Sequence, residues 1–155
     1  MNLFSYVVEH DTGEVPLLGR NKCHLSGCKK GIENKVEVGD WVVGTVSKKR
    51  VDLNHSPDYI VYAMKVTGIV HTNSKRVLVS NQFYYFGKNA IPIQKKFLRG
   101  KQKLTKYCRG YKYSMFSNNF KRKFVEWISG GYAVGKHGDP YDNSENKKSC
   151  KKRCK

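Results

Sequence analysis

The apolar residues of this chain are grouped in short runs that are separated by turn-forming residues. Four such runs, rich in β-branched and aromatic residues, predict strands at residues 3–8, 59–70, 77–80 and 83–87. The second of them contains Gly68, where we expect a bulge. From the end of the first run to about residue 30 the apolar residues show no regular spacing, and this segment is predicted to be a long loop.

A turn at 38–40 precedes a further predicted strand at 41–46. Alternate residues of a strand point to opposite faces. One face of this strand carries Trp41, Val43 and Thr45, and the other carries Val42, Gly44 and Val46. Both faces are therefore largely apolar, as in the strands of a closed barrel.

One amphipathic helix is predicted over residues 119–129. Its apolar residues recur at helical spacing, whereas Lys121, Arg122 and Lys123 occupy the other side. A Gly-Gly pair at 130–131 then ends it. Strands together with a helix predict one α+β domain over residues 1–141, and the aperiodic polar residues 142–155 predict a disordered basic tail.

Positive charge is concentrated in the second half of the chain, whose formal net charge as a whole is +18. Residues 1–85 contain 11 Lys and Arg against 8 Asp and Glu, whereas residues 86–155 contain 19 against 4. Polyanions are the natural partners of such a field, although isolated charge runs often form only a solvated face. We therefore expect nucleic acid or a nucleotide as the partner.

The sequence does not predict a membrane partner. No segment approaches the roughly 20 consecutive apolar residues of a spanning helix. The first residues also lack a basic region followed by an apolar run, so we expect a cytoplasmic protein. The oligomeric state is left open by these observations.

The cysteines of the chain are Cys23, Cys28, Cys108, Cys150 and Cys154. An odd number of them in a chain large enough for its own core favours reduced thiols over a disulfide framework. The first pair and the last pair lack the two-residue spacing of common zinc knuckles. We expect neither a metal ion nor another cofactor.

Several groups of residues, taken in order, resemble a known family. They are SYVV (5–8) with HDTG (10–13), Cys23 with CK (28–29), VGDWVVG (38–44), VYAMKVT (61–67) and FYYFG (83–87). Together they are similar to the second of the nucleotide modification associated domain families, which is related to the PUA-like superfamily of EVE, ASCH and YTH domains. The resemblance extends from about residue 3 to about residue 140.

This resemblance implies a PUA-like (EVE/ASCH-type) mixed β-barrel of five to six strands with flanking helices. It also implies an aromatic-walled pocket that accepts a modified base. One motif differs from the family pattern, because relatives tend to have Gly-Arg-Gly-His where this chain has Cys108-Arg109-Gly110-Tyr111. No role that depends on that histidine is expected here.

The candidate ligand-binding residues combine rings that can stack on a base with polar groups that can bind its edge. Trp41 is the first choice, because stacking on an aromatic face contributes about 1–3 kcal/mol per base. Phe86 and one of Tyr84 and Tyr85 are expected to fill the core instead. The ligand-binding set is Ser5, Tyr6, His10, Asp11, Thr12, Gly13, Lys29, Trp41, Tyr84, Tyr85, Arg109, Tyr111 and Lys112. The predicted phosphate or nucleic-acid surface is Lys30, Lys121, Arg122 and Lys123.

These residues predict a binding module that recognises a modified base or nucleotide through an aromatic pocket and a basic surface. An enzyme acting on a nucleotide or a base is one alternative, with His10, Asp11 and Cys23 as acid, base or nucleophile. Asp11 equally fits a residue that merely caps its loop. Another alternative is a protein that sequesters a free signalling nucleotide in a viral or defence setting.

Overall fold

The structure of the chain is a computed structural model, which describes residues 1–8, 16–25, 30–47, 57–105, 111–113 and 115–140. The strands within these residues are β1 (Leu3–Val8), β2 (Leu17–Leu18), β3 (Cys23–Leu25), β4 (Trp41–Val46), β5 (Tyr59–Lys65), β6 (Gly68–Thr72), β7 (Lys75–Ser80), β8 (Gln82–Tyr85), β9 (Ile91–Pro92), β10 (Tyr111–Lys112) and β11 (Gly135–Lys136). The helices are α1 (Lys30–Lys35) and α2 (Asn118–Gly131), and 3-10 turns lie at Gly87–Asn89 and Lys95–Phe97.

The larger of two sheets has the strand order β10-β1-β4-β5-β8-β11, and β9 also pairs with β5. The pairs β1–β4 and β8–β11 are parallel, whereas the other pairs in this sheet are antiparallel. All the residues of β4 are buried, because both faces of the sheet are covered at this central strand. Two covered faces thus account for the apolar pattern of residues 41–46.

One face of the larger sheet packs against α1 and a smaller sheet with the order β2-β3-β7-β6. We call the apolar layer between them the first core, in which Phe4, Tyr6 and Tyr62 meet Leu25 and Ile32. The opposite face packs against α2 and the turn Lys95–Phe97, forming the second core. The second core contains Leu3, Trp41, Ala63, Tyr84, Phe97, Phe120, Phe124 and Ile128, among other residues.

Helix α2 confirms the predicted amphipathic helix and begins one residue earlier than expected. The Ser117 side chain caps it by accepting a hydrogen bond from the backbone N–H of Phe120 at 3.2 Å. Phe120, Phe124 and Ile128 lie one turn apart and are buried in the second core. Their spacing therefore directs one face of the helix towards the larger sheet.

The prediction of one strand over residues 59–70 with a bulge at Gly68 is wrong. The backbone N–H of Val66 still donates to Asp40, but that of Thr67 donates to Val79 in the smaller sheet. The chain thus leaves the larger sheet between these two residues, and Gly68 begins β6. Both strands are rich in β-branched residues, so the sequence pattern did not mark the crossing between sheets.

The predicted loop before residue 30 contains two short strands, of which β2 is at the edge of the smaller sheet and β3 pairs with β7. Helix α1 then begins at Lys30 and was not predicted. Its six residues are too few to show a helical period. Ile32 and Val36 anchor this part of the chain in the first core.

The α+β class is confirmed by the two sheets and the two helices. Within the described ranges the strands form two open sheets and no closed barrel, so the PUA-like barrel stays a prediction. The predicted tail falls outside the described residues, which end at Pro140. Among the helices of the described segments, none has the length and apolar character needed to cross a membrane.

Candidate functional site

Strand β1 places two of the predicted ligand-binding residues on opposite faces of the larger sheet. Ser5 points to the side of the second core, where its hydroxyl donates to the backbone carbonyl of Leu104 at 2.5 Å. Tyr6 points into the first core, is 2 % exposed, and its hydroxyl lies 2.5 Å from that of Tyr62. Both side chains therefore make internal hydrogen bonds in this structure.

Trp41, the first choice as a pocket wall, is only 1 % exposed. Its ring lies in the second core and stacks on Tyr84 with a centroid distance of 6.2 Å and an interplanar angle of 13°. Tyr85 points the other way and is buried in the first core, and Phe86 is also buried. Because both faces of the sheet are covered, these four rings contribute to packing and offer no open face to a base.

The structure instead brings half-buried aromatic side chains and an exposed lysine together at the β10 edge of the larger sheet. Strand β10 is the edge strand, and its Tyr111 and Lys112 pair with Tyr6 and Ser5 of β1. Helix α1 approaches this edge so closely that a Cβ atom on Gly31 would lie 2.8 Å from a ring carbon of Tyr111. A larger residue at position 31 would therefore require the Tyr111 ring to shift.

Phe4, Lys35, Tyr111 and Tyr113 form a cluster at this place, which we call the aromatic edge. The Tyr113 ring stacks on Phe4 at 5.2 Å with an interplanar angle of 8°. The Tyr111 ring lies 6.0 Å from both of these rings. Phe4 is buried beneath the two tyrosines, which are themselves half-buried. The edge thus has a rigid apolar base and two partly accessible phenol rings.

Lys35 supplies the charge of the aromatic edge. Its ammonium group lies 4.7 Å from the Tyr113 ring centroid and donates a hydrogen bond of 3.2 Å to the Tyr113 hydroxyl. This hydrogen bond, with the neighbouring Tyr111, raises the pKa of Lys35 above its ordinary value. The ammonium is exposed to solvent and, like that of an ordinary lysine, is protonated at neutral pH.

Three further predicted residues are adjacent to the aromatic edge in sequence. Lys30 begins α1, Lys29 directly precedes it, and Arg109 is two residues before Tyr111. Lys29 and Arg109 lie outside the described residues, as do His10, Asp11, Thr12 and Gly13. An ammonium, phenol hydroxyls and accessible rings at one place can bind an anion that carries a planar group.

Cys23 lies in the first core, and burial raises the pKa of its thiol to about 12. The reactive form of cysteine is the thiolate, which is therefore negligible at neutral pH. Cys28, Cys150 and Cys154 lie outside the described residues, and within those residues no group of three or more His, Cys, Asp and Glu could hold a metal ion. The structure thus gives no support to Cys23 as a nucleophile.

We predict that Cys23 resists alkylation in the folded protein. Iodoacetamide at pH 8 should leave Cys23 unmodified while the protein is native, because both access and thiolate formation are prevented by burial. Peptide mass mapping before and after unfolding in guanidinium measures this directly. Rapid alkylation of Cys23 in the folded protein would contradict its burial and would support Cys23 as a nucleophile.

The predicted basic surface on α2 is only partly available. Lys121 donates to the backbone carbonyl of Met1 at 3.1 Å, and Arg122 forms an ion pair with Glu126 at 2.8 Å. Lys123 is exposed. Lys35 was not predicted, because no local motif marks it. A second group of basic residues at 95–103 was not singled out either, although it contributes to the positive charge of the second half.

Comparison with families of known proteins identifies one match. The sequence model of the family described as nucleotide modification associated domain 2 matches residues 1–74 and 70–147. Searches of curated proteins and of solved structures found no match. The matched segments cover most of the chain, and the predicted resemblance is confirmed. The chain therefore belongs to the nucleotide modification associated domain 2 family.

Proposed function

We propose that this domain is a binding module that holds a nucleotide, either free or within a nucleic acid, at the aromatic edge. Membership of a family associated with nucleotide modification supports a nucleotide as the ligand, and we propose a modified base as the group it recognises. The observation that carries the proposal is the position of the Lys35 ammonium beside the half-buried Tyr113 ring.

The chemistry of the aromatic edge fits the two parts of a nucleotide. A base can stack on the Tyr111 or Tyr113 ring, because aromatic stacking tolerates any base and is strong enough to orient it. The phosphate then lies near the Lys35 ammonium, which is exposed and carries a positive charge at neutral pH. The basic residues that precede α1 and β10 in sequence supply further phosphate partners in this proposal.

In this proposal the domain has a PUA-like fold and binds its ligand without converting it. The mixed larger sheet, with its parallel β1–β4 pair, and the family membership support a PUA-like relationship for the domain. A binding role is favoured over catalysis because the buried thiol of Cys23 is removed from the possible nucleophiles. The proposed partner is therefore a nucleotide or nucleic acid rather than a substrate that is turned over.

We predict that Tyr113→Ala weakens nucleotide binding by about 5- to 100-fold, since it removes one stacking face. Lys35→Gln should weaken it by roughly 5- to 10-fold and lower its dependence on salt, since one phosphate contact is lost. Isothermal titration with the four deoxynucleoside monophosphates and 5-methyl-dCMP at low salt measures both effects. Tyr113→Phe, which keeps the ring, should retain most of the affinity.

Lys88→Gln is the matched control, because Lys88 is exposed and follows β8, near the opposite end of the larger sheet from β10. It removes the same charge far from the aromatic edge and should leave affinity unchanged. Circular dichroism confirms that each variant is folded. Absence of binding by the unaltered protein to any of these nucleotides, or equal affinity for Tyr113→Ala and the unaltered protein, would refute the proposed site.

A further inference from the structure

A second basic surface lies on the opposite side of the larger sheet from the smaller sheet. Residues 94–103 contain Lys95, Lys96, Arg99, Lys101 and Lys103 and no acidic residue. The first four of these side chains are exposed. Within the described residues, none of the four forms an ion pair, whereas Arg76, Arg122 and Lys136 each do. Their charge is therefore available to an external anion.

The segment that carries these charges is fixed to the domain by buried residues. Phe97 is buried and packs edge-to-face against Phe120 and Phe124 of α2 at 5.2 and 5.6 Å. The backbone N–H of Leu104 donates to the carbonyl of Phe97 at 2.8 Å, and the Leu104 carbonyl accepts the Ser5 hydroxyl. The basic side chains are thus displayed on an ordered turn, so that binding need not order the backbone.

A partly accessible tryptophan lies beside this turn. The Trp127 ring stacks on Phe97 at 5.3 Å with an interplanar angle of 23°, and the Lys96 ammonium lies 5.1 Å from the Phe97 ring centroid. Lys123 is exposed and precedes Trp127 by four residues, so both lie on the same side of α2. We call Lys95, Lys96, Arg99, Lys101, Lys123 and Trp127 the Trp127 surface.

We propose that the Trp127 surface binds the phosphate backbone of a single-stranded nucleic acid, with the indole as a stacking platform for an unpaired base. Unpaired lysines and an arginine around an aromatic ring are the combination used by single-strand binders. A base within a duplex is already stacked and cannot reach the ring. This inference is independent of the aromatic edge, because it uses other residues and a different face of the domain.

An anionic membrane is the other polyanion that such charge could attract. Peripheral membrane binding needs apolar side chains that enter the lipid, in addition to basic residues. The large apolar side chains exposed in the described residues are Met1, Leu17, Val38, Val70, Met115 and Val134, and none lies in residues 94–103, which we call the basic turn. Nucleic acid therefore fits the Trp127 surface better than lipid does.

The test compares two triple variants with the same change in net charge. Lys95→Glu, Lys96→Glu and Arg99→Glu together alter the Trp127 surface, whereas Arg20→Glu, Lys22→Glu and Lys75→Glu alter exposed positions on the smaller sheet. Fluorescence anisotropy of a labelled 12-nucleotide single strand measures affinity from low to moderate salt. We expect the first triple variant to bind about 10- to 100-fold more weakly and to lower the salt slope by about 2.

The control triple variant should lose less than about threefold, since only the long-range field changes. Equal losses in both variants would overturn the proposal and assign binding to net charge alone. A protein that binds phosphatidylserine vesicles but not the single strand, or that binds a duplex as tightly as the single strand, would also overturn it. Circular dichroism again checks folding.

Trp127 provides a second readout that charge alone does not produce. The chain has two tryptophans, so in Trp41→Phe the fluorescence reports on Trp127 only. We expect the single strand to quench this fluorescence and inorganic polyphosphate of equal charge to leave it unchanged. If the single strand does not quench the Trp127 fluorescence, no base stacks on this ring, and the stacking part of the proposal is wrong.

The outcomes for the two sites are distinguishable. The Lys95, Lys96 and Arg99 triple variant should bind mononucleotides as tightly as the unaltered protein does, because the aromatic edge is intact. Conversely, Lys35→Gln should retain most of its affinity for the 12-nucleotide strand. Loss of both activities in both variants would show one shared site and contradict the separation.

Discussion

Replacing Trp41 with alanine is expected to lower the free energy of unfolding by about 3–5 kcal/mol. The Trp41 ring is almost completely buried in the second core, where it stacks on Tyr84. Its removal leaves a cavity at the central strand β4, which the surrounding strands cannot close without losing their pairing. A loss of this size is a large part of the stability of a typical domain.

Urea denaturation followed by far-UV circular dichroism measures this loss without using tryptophan fluorescence. Trp41→Phe is the milder variant if Trp41→Ala does not fold, and we expect it to cost about 1–2 kcal/mol. Trp127→Ala is the matched control, because the half-buried Trp127 ring should contribute less than half as much. A cost below about 1 kcal/mol for Trp41→Ala would mean that this ring faces an open cavity after all.

Replacing Gly44 with alanine is expected to cost about 3 kcal/mol. A Cβ atom at this position of β4 would lie 2.5 Å from a ring carbon of Tyr62 and 2.6 Å from Cγ2 of Val8. Both neighbours are buried in the first core, so neither can move aside without disturbing it. The displaced Tyr62 ring would also lose its hydrogen bond to Tyr6.

Gly68→Ala is the matched control for this prediction, because Gly68 lies in a strand and its nearest neighbour would be the Val79 Cβ atom at 3.9 Å. We expect a change within about 0.5 kcal/mol there, since the contact is an ordinary one. Adding Val8→Ala to Gly44→Ala removes one of the two clashes, and the pair should show a coupling of about 1 kcal/mol or more. Strict additivity would indicate that Val8 does not contribute to the strain.

The Trp41→Ala variant connects stability with function, because Trp41 is a packing ring and is not one of the proposed binding rings. Trp41, Tyr84 and Phe86 hold α2 and the basic turn against the larger sheet. They therefore support the Trp127 surface from beneath without contacting its ligand. Loss of nucleic-acid binding in Trp41→Ala would for that reason reflect unfolding, unless the variant is shown to be native by circular dichroism.

Several features of the domain could be predicted from local sequence. The β-branched and aromatic runs at residues 3–8 and 41–46 correspond to β1 and β4, and the spacing of Phe120, Phe124 and Ile128 corresponds to α2. These predictions succeed because such residues favour strands and because an amphipathic helix displays its period in the order of its side chains. The family could also be recognised from local sequence, because its motifs follow one another in a fixed order along the chain.

The candidate sites could be predicted only in part. Tyr111 and Lys112 were in the predicted set, and the structure places them at the sheet edge. Lys35 was not, because it reaches Tyr113 across 78 residues of sequence. Such a contact depends on the packing of α1 against β10, and no local pattern records it.

Sequence was sufficient to predict the α+β class, the strands β1 and β4, the main helix and the excess of positive charge in the second half. Which aromatic residues are buried and which are accessible depends on how the layers pack. Alternation shows that Tyr84 and Tyr85 point to opposite faces, but the exposure of each face depends on what covers it. Here the smaller sheet covers one face and α2 the other, so Trp41 is buried, whereas Tyr113 and Trp127 lie at the boundaries where that cover ends.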